Sequence, residues 1–256
     1  MLASIVGVET ALNNPSEVIR VNTLLTINTL EWAKNNRVGK FIYTSTSENY
    51  AGSVKNFGYK VPTSEDVPVA ISDITQSRFS YAASKILAES AFINYSSEYD
   101  FDCVILRYHN VYGPRMGFKH VIPNLVERFM VDKENPFKMY GHSHTRSFCY
   151  VSDAIEATVK AMEDTSSNKK IYHIGTEEEV TIENLIKAIG KIFNFTGRYV
   201  PEDAHEGSIN RRCPDISRAK KDFGYEPKVL LKDGLKITIK WYIDHFKNGV
   251  SKNEFE

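Results

Sequence analysis

Ser80-Tyr81-Ala82-Ala83-Ser84-Lys85-Ile86-Leu87, lying between the apolar runs 38–44 and 101–108, is the stretch on which the fold turns. Residues 81–97 read as a helix that Ser80 is placed to cap. The flanking runs read as buried strands. The first closes on Thr44-Ser45-Thr46-Ser47-Glu48, the second on Asn110-Val111-Tyr112-Gly113-Pro114-Arg115. A further helix over 15–35, with Val18, Leu24, Leu25, Ile27 and Leu30 at its apolar positions, precedes the first strand. Strand and helix alternate, which predicts a parallel sheet covered by helices. Ligands of such sheets bind beyond the carboxyl ends of the strands, where 44–48 and 108–115 would lie.

The remaining segments are less regular. Residues 52–80 read as loop, interrupted by Pro62 and Pro68, and 141–153 as a polar turn. Helices are expected over 121–130, 154–162 and 233–246, and a short strand over 171–175. Thr181 caps another helix with the stripe Ile182, Leu185, Ile186, Ile189 and Phe193. No internal repeat or low-complexity tract is present.

With 256 residues the chain can bury a substantial core, as one large domain or two small ones. Its 32 basic and 32 acidic side chains balance, so no broad attraction to nucleic acid or membrane is indicated. Cys103, Cys149 and Cys213 are odd in number and widely spaced, which suggests neither a disulfide framework nor a metal site. No apolar run approaches the roughly 20 residues of a membrane span, and residues 1–8 are too short for a signal peptide. A cytoplasmic protein is expected.

Chemistry gathers in two segments. A tyrosine hydroxyl, with a pKa near ~10, needs help to take a proton from an alcohol at neutral pH. Lys85, one turn after Tyr81 on the same helix face, brings a positive charge that favours the phenolate. Thr46 could hold the substrate alcohol, leaving Glu48 for a second proton transfer. Taken alone, Y-x-x-x-K is also an ordinary amphipathic-helix pattern. Its weight comes from the strand end upstream and the motifs around it.

Those motifs, in this order, resemble the extended short-chain dehydrogenase/reductases that modify nucleotide sugars. The resemblance runs from the first residues to about Tyr242. It rests on Asn22 with Thr26 and Asn28, residues 44–50, Tyr81 with Lys85, the 110–114 turn, residues 146–153, Arg212-Cys213-Pro214-Asp215, and Gly224-Tyr225-Glu226-Pro227. It implies an α/β fold, an incomplete Rossmann-like doubly wound parallel sheet with a smaller C-terminal substrate-binding domain. Residues 1–115 with about 146–176 would form the partial NAD-binding domain. Residues 116–145 and 177–256, approximately, would bind the nucleotide sugar. The implied activity is epimerisation or dehydration through NAD-dependent oxidation at C4 to a 4-keto-sugar.

In that scheme Tyr81 is the base, Lys85 its electrostatic partner and ribose anchor, Thr46 the sugar-side hydroxyl and Glu48 the second acid/base. Tyr81, Lys85, Thr44, Ser45 and Tyr108 would border NAD. Ser47, Asn110, Val121, Arg146 and Arg212 would meet the nucleotide-diphosphate sugar, the guanidiniums as two-pronged phosphate clamps. Helices 15–35 and 81–97 resemble a family dimer interface, so a homodimer is expected. Family members open with a strand, a G-x-x-G-x-x-G turn and an acidic residue, none of which this sequence contains. By comparison roughly seventy residues are missing, more than two ~30-residue strand–helix units. Poor dinucleotide binding and an exposed sheet edge or apolar face are therefore expected.

The reaction after oxidation stays open. Thr46-Ser47-Glu48 is similar to GDP-mannose 4,6-dehydratases, some UDP-N-acetylglucosamine dehydratases and UDP-glucuronate decarboxylases. Arg78 and residues 212–215 look most like the decarboxylases, whereas Asn49, Ala51, His109 and residues 116–118 depart from them. UDP-glucuronate decarboxylation is thus the alternative, and a non-catalytic sugar-nucleotide-binding or dimerising remnant is the alternative of another class. Asp153 is expected to cap its helix, His109 to be structural, and His142 and His144 to occupy a solvated turn.

Overall fold

The computed structural model describes residues 1–36, 38–204 and 208–247. Its helices are α1 (Val8–Asn13), α2 (Pro15–Lys34), α3 (Ala51–Phe57), α4 (Ser80–Glu98), α5 (Val121–Met130), α6 (Val151–Glu163), α7 (Ile182–Ile192), α8 (Ser217–Phe223) and α9 (Leu231–Lys247). The strands are β1 (Lys40–Thr46), β2 (Asp102–Tyr108), β3 (Val111–Tyr112), β4 (Phe137–Tyr140), β5 (Thr145–Ser147), β6 (Cys149–Tyr150), β7 (Lys170–Ile174), β8 (Glu179–Thr181), β9 (Tyr199–Glu202) and β10 (Arg211–Arg212).

The parallel sheet β1-β2-β7 organises the first half. Side chains alternate between its faces, so Cys103 and Ile105 of β2 enter the core beneath α2 and α4. Val104 and Leu106 enter the core beneath α6 and α8. Burial on both faces is why β2 reads as a continuous apolar run rather than an alternating one. Lys85, Ala88, Glu89, Phe92 and Ser96 form the buried stripe of α4 at helical spacing. Phe92 stacks on Tyr43 of β1 with centroids 4.6 Å apart. Fully burying such a ring contributes about 1.5–3 kcal/mol. A separate apolar core joins α5, α7 and α9 with β4 and β9, centred on Ile122, Phe137, Ile189 and Ile239.

Asn22 of α2 fastens the first segment to the site helix. Its carboxamide accepts the Ile5 N–H at 2.7 Å and donates to the Ile5 carbonyl at 3.1 Å and to Ser84 Oγ at 3.2 Å. The Met1 ammonium donates to the Ile42 carbonyl, and the Met1 carbonyl accepts from Thr44 N at 3.3 Å. The first residue therefore pairs with the outer side of β1. On α6, Ile155, Val159 and Met162 stand 58%, 42% and 53% exposed at helical spacing, an open apolar stripe.

Several local expectations change. The first strand extends to Thr46. Ser80 is the first residue of α4, Phe79 holds the cap position, and no side chain caps the helix. The 52–80 region contains most of α3 and a 3-10 turn at Ser77–Phe79. A Cβ on Gly52 would stand 2.5 Å from the Ala70 carbonyl oxygen, so the loop crosses α3 only over glycine. The 141–153 turn carries β5 and β6, whose partners β10, β8 and β3 are distant in sequence. Asp153 lies inside α6 and accepts from Lys228 N at 3.1 Å and Val229 N at 3.0 Å, anchoring a remote loop instead of capping. Among the described residues no helix is long and apolar enough to cross a membrane.

Candidate active site

The carboxyl end of β1 and the first turn of α4 meet here. Thr46 ends the strand and turns the chain, its Oγ1 accepting the Glu48 N–H at 3.2 Å. The Thr46 hydroxyl also lies beside the Tyr81 phenol, near enough to favour its ionised form. One helical turn on, the Lys85 ammonium donates to the Thr44 carbonyl at 2.9 Å and lies 5.7 Å from the Tyr81 ring centroid. Burial pushes Lys85 down to about 8. Burial also raises the Tyr81 phenol, the Glu48 carboxylate raises it further, and only the Thr46 hydroxyl pulls it back. That direction is opposite to the one expected from Lys85 alone.

Glu48 sits among guanidiniums. Arg212 Nη1 donates to its Oε1 at 2.6 Å and reaches Ser47 Oγ at 3.4 Å. Burial would raise the Glu48 carboxyl, but Arg212, with Arg78 and Arg146 nearby, holds it below the ordinary carboxylate range. Arg212 and Arg146 are register partners on β10 and β5, which explains their shared face. Burial, Arg212 and Arg78 lower Arg146 to about 10. Its Nη1 donates to the Thr145 carbonyl at 2.7 Å. Three guanidiniums gather near one carboxylate, a setting suited to an anionic ligand. Arg78 was absent from the expected site residues. Its position three residues ahead of Tyr81, in the turn at Ser77–Phe79, was the available signal.

The other expected residues make contacts of their own. Thr44, Thr46 and Tyr108 share one sheet face by alternation, and Ser45 takes the opposite one. Ser45 is therefore turned away, its hydroxyl donating to Glu89 Oε1 at 2.6 Å. The Ser45 hydroxyl is thus engaged on the face opposite to Thr44. The Thr44 hydroxyl donates to the Met1 carbonyl at 3.1 Å, and the Tyr108 hydroxyl lies 2.5 Å from Thr158 Oγ1. Asn110 adopts a positive φ of 39° and donates to the Ser147 carbonyl at 2.9 Å. Val121 opens α5 and is 40% exposed. His109 is fully buried, with Nε2 3.0 Å from the Tyr50 hydroxyl; burial, His173, Arg212 and Arg107 keep its ring neutral. Among the described residues no cluster could hold a metal ion.

Comparison with known proteins accords with this arrangement. A UDP-N-acetyl-alpha-D-glucosaminuronate decarboxylase of Bacillus cytotoxicus is 33% identical over 253 residues, covering 94% of this chain and 75% of that one. Human dTDP-D-glucose 4,6-dehydratase is 32% identical over 220 residues, covering 83% of this chain but only 59% of the human one. The crystal structure of UDP-glucuronic acid 4-epimerase from Bacillus cereus, in complex with UDP-glucuronic acid and NAD, superposes with a TM-score of 0.83 at 27% identity. That match covers 95% of this chain and 74% of the epimerase. The profile of the NAD dependent epimerase/dehydratase family matches residues 1–175. The α/β architecture and the motif order thus lead to one assignment: this chain belongs to the NAD-dependent epimerase/dehydratase family.

Proposed function

We propose that this protein is a cytoplasmic, NAD-dependent enzyme that modifies a nucleoside-diphosphate sugar through oxidation at C4 to a 4-keto intermediate. The observation that carries the reading is the meeting of Thr46, Tyr81 and Glu48 at the end of β1, with Arg78, Arg146 and Arg212 around the carboxylate. NAD, when bound, supplies the acceptor for the C4 hydride. The residues present fit its nicotinamide end, where Tyr81 and Lys85 offer a hydroxyl and an ammonium beside the strand ends. Thr44 and Tyr108 lie on the same sheet face. For the pyrophosphate end this sequence has no G-x-x-G-x-x-G segment.

In this mechanism Thr46 orients the C4 hydroxyl and Tyr81, as phenolate, takes its proton. Burial opposes the phenolate, so the positive charge of Lys85 is what makes it accessible. Glu48, held ionised by Arg212, is a base in the resting site and serves the second proton transfer. Arg146 and Arg212 grip the diphosphate, with Asn110, Ser47 and Val121 lining the sugar-nucleotide side.

A second reading, decarboxylation of a uronic acid nucleotide, is favoured by the gathering of Arg78, Arg146 and Arg212 near Glu48, which suits a substrate carrying a carboxylate besides its diphosphate. The protein is incubated with NAD and UDP-glucuronate, UDP-glucose or dTDP-glucose, and products are weighed by mass spectrometry. Loss of carbon dioxide, loss of water and an unchanged mass with a new sugar isomer separate the three chemistries. Tyr81→Phe is expected to lower turnover by about 10²–10⁴-fold. No product, together with no thermal shift on titration with NAD, would establish the non-catalytic remnant instead. We also propose a homodimer through α2 and α4, whose outer faces expose Ile19, Leu24 and Leu87. A monomer by light scattering at micromolar concentration would refute it.

A further inference from the structure

Behind the reacting edge lies a sealed polar row. Ser45, Arg107 and His173 are register partners across β1, β2 and β7, so their side chains stand side by side on the face beneath α4. Glu89 of α4 accepts from Ser45, from Asn49 Nδ2 at 2.8 Å, and from Arg107 Nε and Nη2 at 2.9 and 2.7 Å. Tyr50 stacks on His173 with centroids 5.0 Å apart, which closes the row from the turn that follows β1. Asn49 and His173 are fully buried and Arg107 is 2% exposed.

Three atoms of this row have no hydrogen-bond partner among the described residues: Arg107 Nη1, Asn49 Oδ1 and His173 Nε2. Leaving a buried polar group unpaired costs about 1–3 kcal/mol, so three together call for a ligand. Chemistry fixes the role of each. Arg107 Nη1 only donates. The Asn49 amide is oriented by its Nδ2, which donates to the Glu89 carboxylate, so Oδ1 is the outward acceptor. His173 Nδ1 faces the Thr63 carbonyl at 3.1 Å and must carry the hydrogen. Burial and Arg107 hold the ring neutral, which leaves Nε2 an acceptor. One donor and two acceptors match a molecule that accepts once and donates twice. A cation is disfavoured beside the guanidinium, and an anion beside two acceptors.

We propose that a single internal water binds here, accepting from Arg107 Nη1 and donating to Asn49 Oδ1 and His173 Nε2. It joins the turn after β1 to β2 and β7. Such waters typically make about three hydrogen bonds. A high-resolution crystal structure of the protein is expected to show one ordered water about 2.7–3.2 Å from all three atoms. Direct pairing of any two of these atoms, or a gap without density, would overturn the proposal. In solution, Asn49→Ala and His173→Phe are expected to lower the unfolding midpoint by less together than the sum of their separate effects, because either removes the same water. Strict additivity would count against it. If His173→Phe does not fold, oxygen-17 relaxation dispersion decides. The parent protein should hold one more long-lived water than Asn49→Ala, and equal numbers refute the site.

Discussion

Two carboxylate–guanidinium pairs flank β1, one on the face beneath α4 and one in the turn beyond its carboxyl end. At the rear, Glu89 and Arg107 are 7% and 3% exposed, and neutral donors from Ser45 and Asn49 converge on the carboxylate oxygen that accepts from Arg107 Nε. At the front, Glu48 and Arg212 are 26% and 8% exposed, with two further guanidiniums near the same carboxylate. The rear pair is neutral as a unit, and both oxygens of its carboxylate are partnered within the protein. The front one gathers three guanidiniums at one partly exposed carboxylate. Burial and the number of guanidiniums at the carboxylate thus separate scaffold from chemistry where residue types are the same.

The sharpest way to break this contrast is truncation at each carboxylate. Glu89→Ala leaves Arg107 buried and unpaired and is expected to lower unfolding free energy by about 3–5 kcal/mol in denaturant titrations. Glu48→Ala should lower it by less than half as much, since water reaches that carboxylate; equal losses would erase the distinction. Next in size, Arg212→Met is expected to weaken UDP binding by about 10–100-fold in calorimetry, the worth of a charge-assisted hydrogen bond. Binding unchanged by that substitution would show that Arg212 does not serve a diphosphate.

A pH-dependent effect concerns Lys85, which lies between the two regions. Its folded pKa of about 8 is below the ordinary 10.5, so the unfolded chain holds more protons between those values. Stability should therefore rise with pH across that window, by at most about 1.4 kcal/mol per unit. Lys85→Met should lose the rise. A variant and parent with parallel pH profiles would place the ammonium in contact with solvent.

Much of the architecture was legible because it is written locally. The helix carrying Tyr81, the apolar runs that become β1 and β2, and the Thr181 cap all depend on neighbours within a few residues. The pairs β3–β6 and β4–β9 were not legible, since short strands gain identity only from partners far along the chain. The direction of the Ser45 hydroxyl was hidden for a different reason. Composition marks 44–48 as one hydroxyl cluster, whereas strand alternation divides it between two faces. Glu89 drew no notice because a glutamate within a helix reads as a solvated position until the packing of α4 on β2 buries it. Arg78 had a positional signal, yet its convergence with Arg146 and Arg212 depends on β5 and β10 meeting.

The alternation within β1 has a last consequence. Because Ser45 must reach Glu89 while Thr46 must reach Tyr81, a slip of one residue in the pairing of β1 with β2 would put the wrong side chain on each. The sealed carboxylate thus works as a key for alignment: only one registration of this strand lets scaffold and reagent fall into place together.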